Sequence, residues 1–293
     1  MTLIFGKSGQ VASSLKRLLP PQHALFVGAD ECNFANLDLI APLLDRVQPK
    51  DIIVCSAYTQ VDKAETERDL AEKINHFSLE KIGSWAAKNN ARVVSYSTDY
   101  VYPGEGEAAQ SEESPTQPAN WYGETKLRGE TALLKSCPRT VILRTSWVYS
   151  EYGHNFVKTM LKLARDRSEL NIVADQVGAP TYAEDLAKAT LQILGAWTSD
   201  QDTSGVYNCA GGGSTSWFFF ANAIFEKWRI LGHTLAIQNV HPIASERYPT
   251  PAKRPKNSRL NQTKLLRKFD IRLPNWDQSL ETCLRRLHEN SDV

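Results

Sequence analysis

Leu3-Ile4-Phe5-Gly6-Lys7-Ser8-Gly9-Gln10-Val11-Ala12 is the stretch on which the fold turns. Its apolar head reads as a buried strand, and Gly6 ends that strand just before helical spacing begins at Val11. Glycines at such a junction let the backbone turn tightly and let a pyrophosphate approach amide groups at a helix N-terminus. The spacing is Gly-x-x-Gly-x-x-Ala in place of Gly-x-Gly-x-x-Gly, and Ala12 is still small enough for a helix to pack closely on a sheet. Gly6-Lys7-Ser8 also imitates the end of a triphosphate-binding loop. That loop needs another glycine at position 1, where Met1 stands, so the triphosphatase reading is rejected.

Outward from this turn, short apolar runs alternate with helical stretches. Ile52-Ile53-Val54-Cys55, Arg92-Val93-Val94-Ser95-Tyr96-Ser97 and Val141-Ile142-Leu143-Arg144-Thr145 read as buried strands. Residues 11–19, 70–89 and 122–135 carry apolar residues at helical spacing. Continuous apolar strands separated by helices predict an α/β fold, a Rossmann-type doubly wound parallel sheet covered on both faces. Ligands of such sheets bind beyond the carboxyl ends of the strands, near Thr59, Thr98 and Thr145. After about residue 150 the pattern shifts to helices at 156–167 and 183–197, a Gly211-Gly212-Gly213-Ser214-Thr215-Ser216 loop and a Tyr248–Pro255 segment rich in proline and basic residues. The expected division is a dinucleotide-binding domain over 1–150 and a smaller, interleaved C-terminal substrate domain over 151–293, with some segments returning to the sheet.

Composition narrows the function. The 293 residues are 42% hydrophobic with a formal net charge of +1, which suits a full globular core and gives no support to a nucleic-acid or anionic-membrane partner. No apolar run approaches the roughly 18 residues that span a bilayer. The N-terminus lacks a basic leader segment, and the five cysteines are scattered with no Cys-x-x-Cys pair. A cytoplasmic protein with reduced cysteines and no metal site is expected.

The chemistry centres on Tyr122-x-x-x-Lys126, downstream of Ser97-Thr98-Asp99-Tyr100. Four residues apart on a helix, Tyr122 and Lys126 share a face. An ammonium beside a phenol favours ionisation, so Lys126 is expected to bring Tyr122 down from its usual pKa of ~10. Thr98 opposite would hold a substrate oxygen while Tyr122 protonates it. Asp99 suits a sugar hydroxyl and Trp147 the apolar face of a sugar ring, while Arg254 and Arg259 suit a diphosphate. Asp30 and Glu31 lie where a dinucleotide site often keeps an acid for the adenosine ribose. No arginine is near them, so NADH and NADPH both stay open.

These residues closely resemble the dTDP-4-dehydrorhamnose reductase family, within the extended short-chain dehydrogenase/reductases. The resemblance runs in order through Phe5–Val11, Val61-Asp62-Lys63-Ala64-Glu65, Tyr96–Gly104, Tyr122-Gly123-Glu124-Thr125-Lys126-Leu127, Arg144–Tyr149, Asp175–Thr181, Tyr248–Ala252, Arg254-Pro255 and Asn257-Ser258-Arg259-Leu260. It implies that Tyr122 is the proton donor, Lys126 its partner and a cofactor ligand, and Thr98 the third catalytic residue. Thr98, Asp99, Trp147 and Arg254 would meet the substrate. Gly6, Gly9, Gln10, Val11, Asn33, Phe34, Ala57, Tyr58 and Thr59 would line NADPH or NADH. The implied reaction reduces the 4-keto group of dTDP-6-deoxy-L-lyxo-4-hexulose to dTDP-L-rhamnose, a precursor of cell-surface polysaccharide such as lipopolysaccharide O-antigen. Related dehydratases follow the threonine with an Asp-Glu pair. Here Tyr100 replaces the second acid, which favours plain reduction.

The chain departs from the family at several places. Asn33 replaces an aspartate facing the adenine, the acid near the end of the second strand is replaced around Phe26, and Val54-Cys55-Ser56 is altered. Some members dimerise through magnesium bridged by glutamates. Glu184 fits that pattern and Ser14 does not, so no metal is expected, in a monomer or a homodimer. Two alternatives are an epimerase or reductase of another nucleotide sugar and a non-catalytic regulatory subunit of the same fold.

Overall fold

The computed structural model describes residues 1–197 and 203–290. Six parallel strands form the central sheet: β1 (Thr2–Phe5), β2 (Ala24–Val27), β3 (Asp51–Val54), β4 (Arg92–Thr98), β5 (Thr140–Thr145) and β7 (Gly205–Asn208). Their order is β7-β5-β4-β3-β1-β2. The chain therefore reverses its direction of progress between β1 and β3, and the crevice at such a switch point is where open α/β sheets bind ligands. The four strands expected from the sequence are all present. β2 and β7, the two edges, were not legible as strands, because Ala24-Leu25-Phe26-Val27 is only partly buried and β7 opens on a glycine.

Alternation across the pleat makes the sheet two-faced. Leu3, Phe5, Ile52, Val54 and Val93 face one way, onto helix α2 (Ile40–Val47) and α3. Here α3 denotes residues 68–88, in which Arg68–Glu72, a π turn at Lys73–Phe77 and Ser78–Lys88 run on without a break. Ile4 and Ile53 face the other way, onto α1 (Gln10–Leu18) and α6 (Ala183–Ala196). This is the doubly wound arrangement. Helix α4 (Trp121–Ser136) lies on the α3 side and carries Tyr122 and Lys126.

The second lobe has its own core, in which α5 (Phe156–Asp166), α7 (Trp217–Ile230) and α8 (Trp276–Glu289) bury Val157, Met160, Phe220, Ile224, Leu280 and Leu284. Strands β6 (Glu169–Val173) and β8 (Asn239–Ile243) pair beside it. Among the described residues, no helix is long and apolar enough to cross a membrane.

One buried ion pair fixes how α4 sits on the sheet. Arg144 on β5 donates from Nη2 to Glu130 Oε2 at 2.6 Å and from Nε to Glu130 Oε1 at 3.0 Å, with both side chains about 5% exposed or less. Arg144 Nη1 also donates to the Tyr102 hydroxyl at 2.8 Å. Removing one partner of such a pair leaves a buried charge uncompensated. Glu130→Gln is therefore expected to lower stability by about 3–5 kcal/mol in urea unfolding. A Glu130→Leu/Arg144→Met double variant should lose less, and a single variant as stable as the parent would contradict this account.

Candidate active site

The carboxyl ends of β1, β3, β4 and β5 define the site. Gly6 follows β1 with φ +98°, and a Cβ there would lie 2.9 Å from the Ser56 amide nitrogen, so only glycine lets the turn pass the end of β3. Gly9 holds the N-cap position of α1, which has neither a side-chain cap nor an acid in its first turn. The amides of that turn are left for an external anion, and a dinucleotide pyrophosphate fits such a place. Gln10 behaves differently from a simple lining residue. Its amide donates to Val148 O at 3.3 Å, and its Oε1 accepts from Ser150 at 2.9 Å and Asn155 at 3.1 Å, tying α1 to the second lobe. Val11 is half-buried between α1 and the sheet core.

Several side chains expected to line the cofactor are turned elsewhere. Phe34 packs its ring on Phe5 at 5.0 Å within the core, and Asn33 spends its Oδ1 on the Ala35 amide at 2.9 Å. Tyr58 is buried and donates its hydroxyl to Glu67 at 2.7 Å. Its backbone is gripped instead: Asn75 accepts from Tyr58 N at 2.9 Å and donates to Tyr58 O at 3.1 Å. Ala57 is half-buried and Thr59 exposed in the same loop after β3. The residue directly after β2 is Gly28, so the acid missing from the strand end is missing there and not at Phe26, which lies inside the strand.

Thr98 and Thr145 are the last residues of β4 and β5 and are register partners, one step earlier than the expected place beyond the strand ends. Helix α4 reaches Thr98 because Gly123 lies against the Tyr100 carbonyl, where a Cβ would collide. Asn120 caps the helix, accepting from Gly123 N at 2.8 Å. Gly129 approaches the Asn75 carbonyl just as closely. Asn75, inside the π turn of α3, also donates to Thr125 Oγ1 at 3.1 Å. It thus clamps the loop after β3 to the helix bearing Tyr122. Sequence reading passed over Asn75; a buried amide within an apolar helical stretch was the available signal.

Electrostatics here follow burial. Desolvation pushes the Tyr122 phenol up to about 12, hydrogen bonding with Thr98 pulls it back in part, and the Asp99 carboxylate adds to the rise. The expected lowering by Lys126 is therefore corrected. Lys126 donates its ammonium to Tyr96 O at 2.7 Å, and its own pKa is brought down to about 8 by burial, with the Glu130 carboxylate opposing. Tyr122 is a protonated acid across the working range. Asp99 is pushed up to about 6 by burial, against the Ser258 and Thr98 hydroxyls. Thr98 donates to its Oδ1 at 3.1 Å, and Oδ2 is buried with no partner at hydrogen-bond geometry among the described residues. A buried acceptor of this kind suits a ligand hydroxyl.

Beyond Tyr100 opens a cleft of about 1360 Å³, lined in part by Phe156, Trp217, Tyr248 and Arg254. Tyr100 itself meets the Tyr122 ring edge-on at 5.5 Å. Trp147, at φ +50°, lies beneath Trp217 with the rings stacked at 3.5 Å. One of its faces is thus already covered, and Trp217, which the sequence reading omitted, is the indole lining the cleft. Arg254 lines it too, but its Nη1 and Nη2 form a bidentate pair with Asp62 at 3.0 and 2.7 Å. That pair anchors the 248–255 strap to the Val61–Ala64 turn. Arg259 is turned to Asn257 Oδ1 at 3.1 Å. Neither arginine presents an uncommitted guanidinium fork for a diphosphate in this arrangement.

The magnesium known from some relatives does not fit here. Glu184 is about 3% exposed, and its oxygens meet Arg286 at 3.0 Å, Lys188 at 2.9 Å and Arg17. Ser14 gives its hydroxyl to Gln10 O at 3.0 Å. A divalent ion needs several oxygen ligands, and guanidinium and ammonium groups occupy the oxygens of Glu184. No three-residue His, Cys, Asp or Glu cluster with metal-holding geometry occurs among the described residues.

A glycine turn at the switch point, with a threonine at the end of β4 and a tyrosine and lysine one turn apart on the helix beside it, defines an oxidoreductase of the short-chain dehydrogenase/reductase type. The family described as RmlD substrate binding domain matches residues 1–289. The chain is 42% identical over 296 residues to the dTDP-4-dehydrorhamnose reductase of Salmonella typhimurium, covering 99% of each. The Bacillus anthracis enzyme of the same name, solved in complex with NADP, aligns with a TM-score of 0.90 at 33% identity over 97% of this chain and 98% of that one. A Clostridium acetobutylicum ortholog aligns at 0.89 with 34% identity, over 98% and 99%. The chain belongs to the dTDP-4-dehydrorhamnose reductase family.

The two shifted groups set a pH window. The Asp99 carboxylate forms above about 6, and the Lys126 ammonium is lost above about 8. The kcat/KM for keto-sugar reduction should rise through the first value and fall through the second. Asp99→Asn should remove the acid limb and Lys126→Arg should displace the alkaline one upward. A profile flat from about pH 5 to 9 would exclude these groups from control of the rate.

Proposed function

We propose that the protein reduces the 4-keto group of dTDP-6-deoxy-L-lyxo-4-hexulose to give dTDP-L-rhamnose, using NADPH or NADH. The observation that carries this reading is the Tyr122 phenol, which hydrogen-bonds with Thr98 and meets edge-on the Tyr100 ring that lines the large cleft. The keto oxygen sits between the Thr98 hydroxyl and the Tyr122 phenol, and the deoxysugar extends past Asp99 and Trp217 into the cleft. A bound reduced nicotinamide supplies the hydride for the carbonyl carbon. Tyr122 gives its phenolic proton to the oxygen as negative charge develops there, so carbonyl becomes alcohol. The Thr98 hydroxyl, which lowers the Tyr122 pKa by hydrogen bonding, stabilises the phenolate left behind. Asn75 acts at one remove, by positioning Tyr58 and Thr125.

The product serves as a precursor for cell-surface polysaccharide. The enzyme works in the cytoplasm as a monomer or homodimer; its five unpaired cysteines support that compartment. The test follows oxidation of NADH and NADPH on addition of the keto-sugar nucleotide. Tyr122→Phe should cut turnover by at least about 100-fold while calorimetry still detects substrate binding. Equal turnover by parent and variant would sink the mechanism. Turnover only with GDP- or UDP-linked sugars would move the substrate assignment, and stoichiometric capture of another enzyme with no turnover on any keto-sugar would favour a regulatory role.

A further inference from the structure

Gln10 stands at a junction that the reaction itself does not explain. It opens α1 at the glycine turn, where the first amides of a helix have no acceptor within it. Its side chain leaves the turn and enters the segment between Val148 and Asn155. Nε2 donates to Val148 O at 3.3 Å, while Oε1 accepts from Ser150 Oγ at 2.9 Å and Asn155 Nδ2 at 3.1 Å. Ser150 and Asn155 are both buried. Asn155 Oδ1 accepts from Lys158 N at 3.2 Å, so Nδ2 must face Gln10 and the network fixes which way both side-chain amides point.

Both ends of that network belong to walls of the large cleft. Asn155 is the N-cap of α5, and α5 lines the cleft with Phe156, Thr159, Met160 and Leu163. Val148 follows Trp147, whose ring lies against Trp217 at 3.5 Å, and Trp217 in turn meets Phe156 at 4.5 Å. Trp147 has φ +50°, a left-handed conformation that a bulky residue keeps only where its neighbours enforce it. Two contacts hold the backbone there: Thr181 N donates to Trp147 O at 3.2 Å, and Gln10 donates to the next carbonyl. One glutamine from the glycine turn thus grips the cap of α5 and the backbone beside the paired indoles.

We infer that Gln10 is a positioning residue that couples the two ligands: a dinucleotide on the β1–α1 turn steadies the cleft, and the nucleotide sugar then binds more tightly. The inference rests on the reading that this turn takes a nicotinamide dinucleotide and the cleft a dTDP-sugar. A phosphate that accepts from the amides opening α1 fixes the backbone from which the Gln10 side chain extends. Residues 148–155 are then ordered before the sugar arrives, and the second ligand meets less of the ordering cost. Such coupling is reciprocal, so the nucleotide sugar raises the dinucleotide affinity by the same factor.

Calorimetric titration of the full chain reads this coupling without turnover, with dTDP as the cleft probe and NADP+ or NAD+ as the dinucleotide. The parent should bind dTDP about fivefold or more tightly when the dinucleotide is saturating. Gln10→Met, of similar length but without the amide, should bring that factor close to one, while dinucleotide affinity measured alone changes by less than about twofold. Asn155→Asp keeps a capping oxygen for α5 but removes the donor to Gln10, and it should lower the factor as well. In turnover at saturating reduced dinucleotide, Gln10→Met should raise the KM for the keto-sugar by the lost factor and leave kcat within about twofold, a split that general destabilisation does not produce. A parent factor of one, or a factor unmoved by Gln10→Met or by Asn155→Asp, overturns the coupling role of Gln10. Failure of the parent to bind either dinucleotide, or to bind dTDP, overturns the cofactor or the substrate reading together with it.

Discussion

The buried Glu130–Arg144 pair is the constraint on which the site depends. Tyr122, Lys126 and Glu130 follow one another at intervals of four and form one stripe along α4. Arg144 holds the inner end of that stripe to β5, so the rotation of the helix about its axis is set, and with it the position of the phenol. The same carboxylate opposes the desolvation of Lys126, keeping its ammonium within reach of neutral pH. Structural anchoring and acid–base tuning here share one glutamate. The two close glycine contacts, Gly123 on Tyr100 and Gly129 on Asn75, bring the helix near enough for the pair to form.

Motifs far apart in the chain turn out to be tertiary contacts. Asp62 meets Arg254, Gly104 packs against Pro255, and Gly178 lies against the edge of Trp147. Val177-Gly178 and Asn257-Ser258 pair as short strands, bringing Ser258 to Asp99. Tyr100, Gly104, Gln176 and residues 248–254, from three of the segments that carry the family resemblance and the arginine after them, line one cleft. Residues that look like ligand contacts in a linear reading, Arg254 above all, hold the cleft's own walls together.

Local periodicity made much of the fold legible. Five helices and four strands lie within a residue or two of their expected bounds, because each is buried along a clear face. The edge strands β2 and β7 escaped, being short, half-exposed or glycine-led. Helix α7 escaped because Trp217-Phe218-Phe219-Phe220 is apolar on every side and shows no helical period. At the site, residue types predicted chemistry better than direction. Thr98, Asp99, Tyr122 and Lys126 converge, whereas Phe34, Tyr58 and Arg254 turn toward partners that only the folded chain supplies. The shift of Tyr122 was misjudged for a related reason: desolvation depends on packing around the phenol, which no spacing rule reports.

The sixth strand has a consequence for how the protein is made. β7 closes the sheet on β5, yet Gly205 follows Thr145 by 60 residues. At ordinary elongation speeds of 5–20 residues per second, the ribosome needs roughly 3 to 12 s to supply it. Throughout that interval the nascent chain carries β5 as an open edge, with a row of unpaired amides and carbonyls that invites pairing with a neighbouring polypeptide. The buried Arg144 side chain is bound from within by Glu130 and does nothing to blunt that edge.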